Sequence, residues 1–220
     1  ANFLLTSVFG VRTTSGAETW QYEVTDSNGA TSARSFVATV RRPDSASVLY
    51  NSYTLRLNVP AASVSARRFI QLKPGLALPA YTVLGTAANP TPDQQALTDL
   101  VQSVDGLRLY APDAVGDVVS LPDARWPKAN RRKTRFHLTN LTTLADFSSQ
   151  ADTLSIRRLY TAPVTSSITR LTLNQVYAFR TFPGNNPARS TFGIMRVASV
   201  PGGTTAGLQL EVRVAKQQQA

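Results

Sequence analysis

The chain has 220 residues, enough for one large domain or two small ones. The absence of cysteine excludes disulfides, thiolate metal sites and cysteine catalysis, and a single histidine excludes a multi-histidine metal cluster. No apolar run reaches about 18 residues, which argues against a membrane-spanning helix. Lys and Arg outnumber Asp and Glu by 23 to 13, so the net charge of +10 favours an acidic partner.

The N-terminal residues indicate processing. The chain starts at Ala1, with neither the basic region nor the long apolar region of a secretion signal, and it has no lipid-anchor cysteine. We therefore expect a processed or trimmed part of a longer protein. The polar residues 216–220 are expected to fray.

The clearest local signal is a β-hairpin between residues 19 and 40. Two alternating runs place their larger apolar side chains on one face: Trp20, Tyr22, Val24, Phe36, Ala38 and Val40. Between the runs, Asn28 and Gly29 are predicted to supply the two positive-φ positions of a tight turn. Pro43 then marks a linker, because it cannot donate a ladder hydrogen bond.

Most of the remaining chain alternates as strands do. The predicted strands are 48–59, 67–72, 81–86, 106–111, 134–139, 154–160, 175–182, 191–200 and 207–214. One helix is predicted over 92–104, with Thr91 and Gln94 as a capping box and Pro92 at the first helical position. A shorter helical turn over 144–151 is expected to bury Leu144, Phe147 and Ala151. The pattern predicts a mostly β fold, a β-sandwich or open barrel with one or two short helices.

The first region also resembles a known module. Residues 20–29, Trp-Gln-Tyr-Glu-Val-Thr-Asp-Ser-Asn-Gly, resemble the last hairpin of a PKD or bacterial immunoglobulin-like domain. Such a sandwich needs about seven strands, and only about three fit in residues 1–41. The resemblance implies that residues 1–44 are a partial immunoglobulin-like region with its linker, and that 45–220 form the β-sandwich-like domain.

A second resemblance covers most of the chain. It rests on Arg68 to Ile70, Asp105 to Asp113, Trp126 with Asn130, Thr134 to Phe136, Ala145 to Phe147, Val176 to Thr181, Gly193 to Val197 and Leu208 to Val214. With these segments, residues 45–215 resemble the C-terminal domain of uncharacterised Bacteroidetes surface lipoproteins. The family implies export, a location at the cell envelope, outer surface or outside the cell, and an all-β sandwich. It implies no known activity, so no catalytic residue is carried over.

The densest basic run is the candidate binding site. The residues are Arg125, Trp126, Lys128, Arg131, Arg132, Lys133 and Arg135. They could contact phosphates or an acidic glycan, while Trp126, the best candidate for an exposed aromatic, stacks on a ring of the ligand. In the following strand Lys133, Arg135 and His137 share one face, so the cations are expected to line up in solvent. The interpretation that the residues favour is instead a solubilising loop and an edge strand protected by charge.

Four aspartates lie within nineteen residues: Asp105, Asp113, Asp117 and Asp123. Two of them could serve as the acid and base of a glycosidase, or several could bind calcium. The favoured interpretation is that each caps its local loop backbone. The Asp26 to Gly29 run is likewise interpreted as a turn, because the twelfth position of a calcium loop would be Val37 rather than Glu.

These observations favour a non-enzymatic module for adhesion, glycan binding or scaffolding. No catalytic or metal site and no cofactor is predicted; His137 is interpreted as a solvated side chain, since no Gly-x-Ser-x-Gly motif occurs. The expected partner is an acidic glycan or another surface protein. Nucleic acid is not expected, because no nucleic-acid-binding motif accompanies the charge. Membrane attachment would need an anchor outside this chain, and the oligomeric state is left open.

Two alternative functions remain at this stage. The first is a structural subunit of an extracellular assembly, in which another chain completes the N-terminal region by strand pairing. The second is a glycoside-active enzyme that uses two of the clustered aspartates.

Overall fold

The computed structural model describes residues 16–40, 49–58, 66–86, 89–114, 121–183, 186–202 and 207–215. The chain divides into two compact units, 1–47 and 48–220. None of the helices in the described part of the chain has the length or apolar character needed to span a bilayer.

The described part of the first unit is one antiparallel hairpin of β1 (Gly16–Thr25) and β2 (Thr31–Val40). The predicted placement of the two runs on one face is confirmed, since Trp20 lies opposite Phe36. The rings of Tyr22 and Phe36 stack with centroids 5.8 Å apart. The predicted turn is only partly correct: Gly29 has a φ of 81°, but Asn28 does not have a positive φ. Asp26 orders this longer turn, because its carboxylate accepts hydrogen bonds from the N–H groups of Asn28 and Ala30.

The second unit contains ten described strands. In chain order they are β3 (Leu49–Asn58), β4 (Arg67–Gln71), β5 (Leu76–Pro79), β6 (Leu100–Gln102), β7 (Leu109–Tyr110), β8 (Lys133–Leu138), β9 (Ser167–Ile168), β10 (Val176–Phe182), β11 (Thr191–Ser199) and β12 (Gly207–Ala215). They form two antiparallel sheets of five strands, with the orders β3-β12-β11-β10-β8 and β5-β4-β6-β7-β9.

The two sheets pack on each other as a β-sandwich. Alternate residues of both sheets fill the space between them, and the largest fully buried ones include Leu57, Ile70, Leu100, Phe136 and Phe179. At one edge the sheets meet through paired backbone hydrogen bonds between Phe136 and Thr165. The prediction of a mostly β, sandwich-like fold is therefore confirmed.

Four short helices lie among the described residues, more than predicted. They are α1 (Ala80–Leu84), α2 (Pro92–Leu97), α3 (Leu144–Ser149) and α4 (Thr153–Arg158). Two of them replace predicted strands, α1 in 81–86 and α4 in 154–160. Each helix buries one apolar residue fully, Val83 in α1 and Ile156 in α4, and α1 also buries Thr82. A single helical turn and a short strand can bury one residue equally well, so tertiary packing decides between them.

The helix predicted over 92–104 is also wrong in its second half. Helix α2 ends at Leu97, which is 52% exposed, and the chain continues as strand β6. The N–H of Asp99 donates to Ile70, and Leu100 and Val101 pair with β4. Leu100 and Val101 thereby face opposite sides of a sheet instead of one side of a helix.

The helical turn predicted over 144–151 is present as α3. Thr143 and Asp146 form a capping box, which stabilises the first turn. Phe147 is buried as expected, whereas Leu144 is exposed by 54% and Ala151 is exposed. Phe147 and Ile156 of α4 pack with Ala178 and Ile194, so α3 and α4 cover part of the outer face of the first sheet.

Candidate functional site

The structure does not bring the predicted basic run together as one surface. Trp126, the best candidate for an exposed aromatic, is fully buried and packs against Phe69 with ring centroids 6.5 Å apart. The guanidinium of Arg131 lies over the same ring at 5.9 Å. A ring covered in this way has no free face for a sugar.

Arg131 is a structural residue rather than a surface cation. Only 3% of it is exposed. Its guanidinium donates to the carbonyl oxygens of Trp126 and Leu121 and pairs with Asp123. These contacts fix the loop that precedes β8.

Arg132 belongs to a buried polar network centred on Asp99, which is 2% exposed. One carboxylate oxygen of Asp99 accepts hydrogen bonds from Arg132 Nε at 2.6 Å and from the Thr181 hydroxyl at 2.6 Å. The other accepts from the N–H of Leu72 at 2.8 Å. Tyr53 donates its hydroxyl to the Leu72 carbonyl, and burial together with the Asp99 charge raises the pKa of Tyr53. The network joins the two sheets.

Strand β8 has the alternation that the sequence predicts. Thr134 and Phe136 are buried, while Lys133, Arg135 and His137 are half-buried on the other face. The strand lies at the edge of its sheet, as predicted. The Arg135 side chain is not fully solvated, because its guanidinium forms a bidentate ion pair with Asp113. The Nη1–Oδ1 distance is 3.0 Å and the Nη2–Oδ2 distance is 2.7 Å. Arg125 and Lys128 are exposed in the preceding loop.

The outer face of the first sheet carries a cluster that we call the basic–aromatic face. Its members are Arg135, Arg157, Tyr160, Arg180 and Phe192. Arg180 of β10 lies directly opposite Arg135 of β8 on one side and Phe192 of β11 on the other. The guanidinium carbons of Arg157 and Arg180 lie 5.0 and 5.5 Å from the centre of the Phe192 ring. Tyr160 meets that ring edge-on at 5.7 Å.

Like charges directly opposite each other on a sheet destabilise it, so this face needs compensating contacts. Asp113 supplies one, and its hydrogen bonds raise the pKa of Arg135. Arg180 donates to the Ser190 hydroxyl at 2.8 Å and also lies 5.3 Å from the Phe182 ring. Burial raises the pKa of Tyr160, and the charges of Arg180 and Arg135 oppose that rise. The face concentrates positive charge above aromatic rings.

Two further cations are neighbours of these residues, one across the sheet and one along the chain. Lys133 lies opposite Phe182 across the β8–β10 pair. Arg189, at the end of the short 3₁₀ turn Pro187–Arg189, is exposed and directly precedes Ser190. Of these residues only Arg135 and Lys133 belong to the predicted site. The remaining residues of the face could not be predicted to lie together, because they belong to segments far apart in the sequence. In addition, 154–160, which contains Arg157 and Tyr160, was predicted as a strand and not as a helix.

The clustered aspartates have separate structural partners. Asp113 pairs with Arg135, Asp123 with Arg131, and Asp105 with the Ser103 hydroxyl and the N–H of Leu107. The Ser103 and Leu107 hydrogen bonds lower the pKa of Asp105. Asp117 lies outside the described residues. In the described part of the chain, no three His, Asp or Glu side chains form a group that could hold a metal ion.

His137 borders an open groove of about 340 Å³ beside the β8 edge, whose lining includes Leu138, Ser167, Arg170 and Tyr177. Its Nδ1 lies 3.0 Å from the Pro163 carbonyl oxygen, and its Nε2 lies 3.1 Å from the Thr161 hydroxyl. Both ring nitrogens are thus engaged by the segment that crosses from α4 to β9.

No family model, curated protein or solved structure matches this chain.

Proposed function

We propose that this protein is a non-enzymatic cell-surface or secreted module that binds an acidic polysaccharide through its basic–aromatic face. The observation that carries the proposal is the placement of two arginines, Arg180 of β10 and Arg157 of α4, over the ring of Phe192, with Arg135 of β8 directly opposite Arg180. The location outside the cell rests on the resemblance to Bacteroidetes surface lipoproteins described above.

Arginines held against aromatic rings are well suited to binding anions. A guanidinium that stacks on a ring is fixed through its flat face, which leaves its in-plane N–H groups directed sideways. Those N–H groups can then donate to an oxyanion without the full cost of ordering a flexible side chain. The rigid sheet beneath Arg135 and Arg180 holds the donors in a constant arrangement.

The positions of the aspartates favour binding over glycoside hydrolysis. A general acid needs a raised pKa, whereas hydrogen bonds lower the pKa of Asp105. Asp113 and Asp123 each hold an arginine in place. Asp105, Asp113 and Asp123 therefore all have structural roles.

Polysaccharide binding tests the proposal. We expect the wild-type protein to bind immobilised polygalacturonate or dextran sulfate and not to bind neutral dextran. The Arg180→Ser variant should bind the preferred polymer about tenfold more weakly or worse, because it loses charge-assisted hydrogen bonds.

Arg56→Ser provides the matched control. Arg56 is an exposed arginine on β3, the opposite edge strand of the same sheet, so its loss changes the net charge equally. Binding that falls equally in both variants would show that only overall charge matters. Absence of binding to either acidic polymer would contradict the proposed function.

A further inference from the structure

We infer that this protein binds an extended, acidic segment of a partner protein in the groove between the edges of β8 and β9. The segment pairs with free backbone groups as an added strand and directs apolar side chains between the two sheets. The groove shares no residue with the basic–aromatic face, so the inference goes beyond the proposed function and is tested separately from it.

The edge of β8 is paired at Phe136 but open at Leu138. The N–H and C=O of Phe136 pair with those of Thr165, and the same ladder cannot continue between Leu138 and Pro163, because proline has no N–H. The backbone groups of Leu138 point away from β10, as those of Phe136 do, since their direction alternates along a strand. In the described part of the chain they have no hydrogen-bond partner. Leu138 therefore offers a donor and an acceptor to an added strand.

Strand β9 gives the groove a second backbone donor. The Ser166 carbonyl oxygen accepts from the N–H of Ala111, so the backbone groups of the next residue, Ser167, point away from β7. The Ser167 carbonyl accepts from the Thr165 hydroxyl at 2.9 Å, whereas its N–H has no partner among the described residues. Leu138 and Ser167 both line the groove of about 340 Å³. Unpaired strand edges of this kind take up an extended peptide as an additional strand.

The groove opens into the apolar interior of the sandwich. Phe136, Ile168 and Tyr177 belong to the core between the sheets, and all three line the groove. Leu138 lies on the same face of β8 as Phe136 but is 49% exposed. A second groove of about 230 Å³ also contains Leu138 in its lining, together with Leu173, which is 51% exposed. The apolar surface thus extends along the edge, which suits the alternate side chains of a strand.

The charge of the lining indicates the kind of partner. No described lining residue of either groove is Asp or Glu, and the first groove includes the exposed Arg170. Arg170 forms no ion pair or hydrogen bond with the described residues. A second copy of this chain is disfavoured as the occupant, because two molecules of net charge +10 repel each other. Charge complementarity therefore favours a segment of another protein in which apolar and acidic residues alternate.

Three heptapeptides test the inference: acetyl-Val-Glu-Val-Glu-Val-Glu-Val-amide, its counterpart with Lys in place of Glu, and the Glu peptide N-methylated at its valines. In an antiparallel pair, a valine opposite Leu138 directs its side chain inward and its N–H toward β8, so N-methylation removes that bond. Binding to the whole protein is followed by NMR of the backbone amides. We expect the Glu peptide to shift the Leu138 and Ser167 signals and to bind at least tenfold more tightly than the other two.

Equal affinity of the Glu peptide and either of the other peptides would overturn the inference. Absence of binding by the Glu peptide, or shifts confined to residues outside the two grooves, would also overturn it. None of these results changes the test of the proposed function, which uses polysaccharides and a different face of the sheet.

Two variants tie binding to this edge. Arg170→Ser should weaken the Glu peptide about threefold, as expected for a partly exposed ion pair, while Arg56→Ser on the opposite edge strand should leave its affinity unchanged. Leu138→Pro removes the edge N–H without removing a bond to β10, so it should lower the affinity at least tenfold, whereas Leu138→Val should bind normally. Equal losses in Arg170→Ser and Arg56→Ser would contradict the inference, and this comparison at exposed residues holds even if Leu138→Pro does not fold. Wild-type affinity in a folded Leu138→Pro variant would contradict it as well.

Discussion

A single buried carboxylate, Asp99, organises the contact between the two sheets. It receives hydrogen bonds from a guanidinium, a hydroxyl and a backbone N–H, which satisfy both of its oxygens. A buried charge is tolerated only when it is paired in this way. Arg132 depends equally on Asp99, because only 13% of its side chain is exposed.

Replacing Asp99 by Asn should therefore weaken the fold markedly. We expect Asp99→Asn to lower the free energy of unfolding by about 3 kcal/mol, because Arg132 would be left largely buried without its counter-ion. Urea denaturation measures the change. Asp93→Asn, at an exposed aspartate in α2, is the control and should change stability by less than about 0.5 kcal/mol. Equal losses of stability in the two variants would show that the Asp99 network contributes no more to the free energy of unfolding than an exposed aspartate does.

At the same scale, the sequence could identify residue types but not their partners. The excess of arginine was evident, yet nothing in the order of residues distinguishes Arg131, which is buried on Trp126, from the exposed Arg125. Asp99 has no spacing signature, because Thr181 is 82 positions away along the chain. Such sites arise only when distant strands come into register.

The elements divide into those that alternation predicts well and those that it does not. Strands β3, β8, β10, β11 and β12 were predicted within about two residues, because each buries one face over six residues or more. The helices α1 and α4 have five and six residues and were predicted as strands. Over such short lengths the helical and strand periodicities cannot be told apart.

Within the central strands, Gly193 of β11 lets two elements approach closely. A Cβ added there would lie 2.2 Å from the ring of Phe179, its cross-strand partner, and 2.6 Å from the carbonyl oxygen of Arg213. We expect Gly193→Ala to cost about 2–3 kcal/mol in the free energy of unfolding, since ring and backbone would have to move.

The turn residue Gly202, which follows β11 in the same unit as Gly193, offers a matched comparison in thermal or urea unfolding. A Cβ at Gly202 would meet nothing within 4 Å, but the residue has a φ of +89°. Gly202→Ala should therefore cost only the backbone strain, about 1 kcal/mol. A smaller loss for Gly193→Ala than for Gly202→Ala would contradict the packing described for β10 and β11.

At the scale of the whole molecule, the residues that stabilise the sandwich and the cations of the basic–aromatic face lie in different places. The apolar residues of both sheets fill the interior, and the described cations of the basic–aromatic face lie on the outer side of one sheet. The mostly β class was predictable, because it depends on alternation summed over many strands. The position of the charged face was not, because it depends on which strands become neighbours.

The most direct test of this account is to locate the ligand on the protein. In an NMR titration of the whole chain with a dextran sulfate oligosaccharide, the side-chain Nε–H signals of Arg135, Arg157 and Arg180 should shift first, while that of Arg56 stays in place. Shifts confined to the exposed Arg125 and its loop, with the signals of Arg157 and Arg180 unmoved, would contradict it.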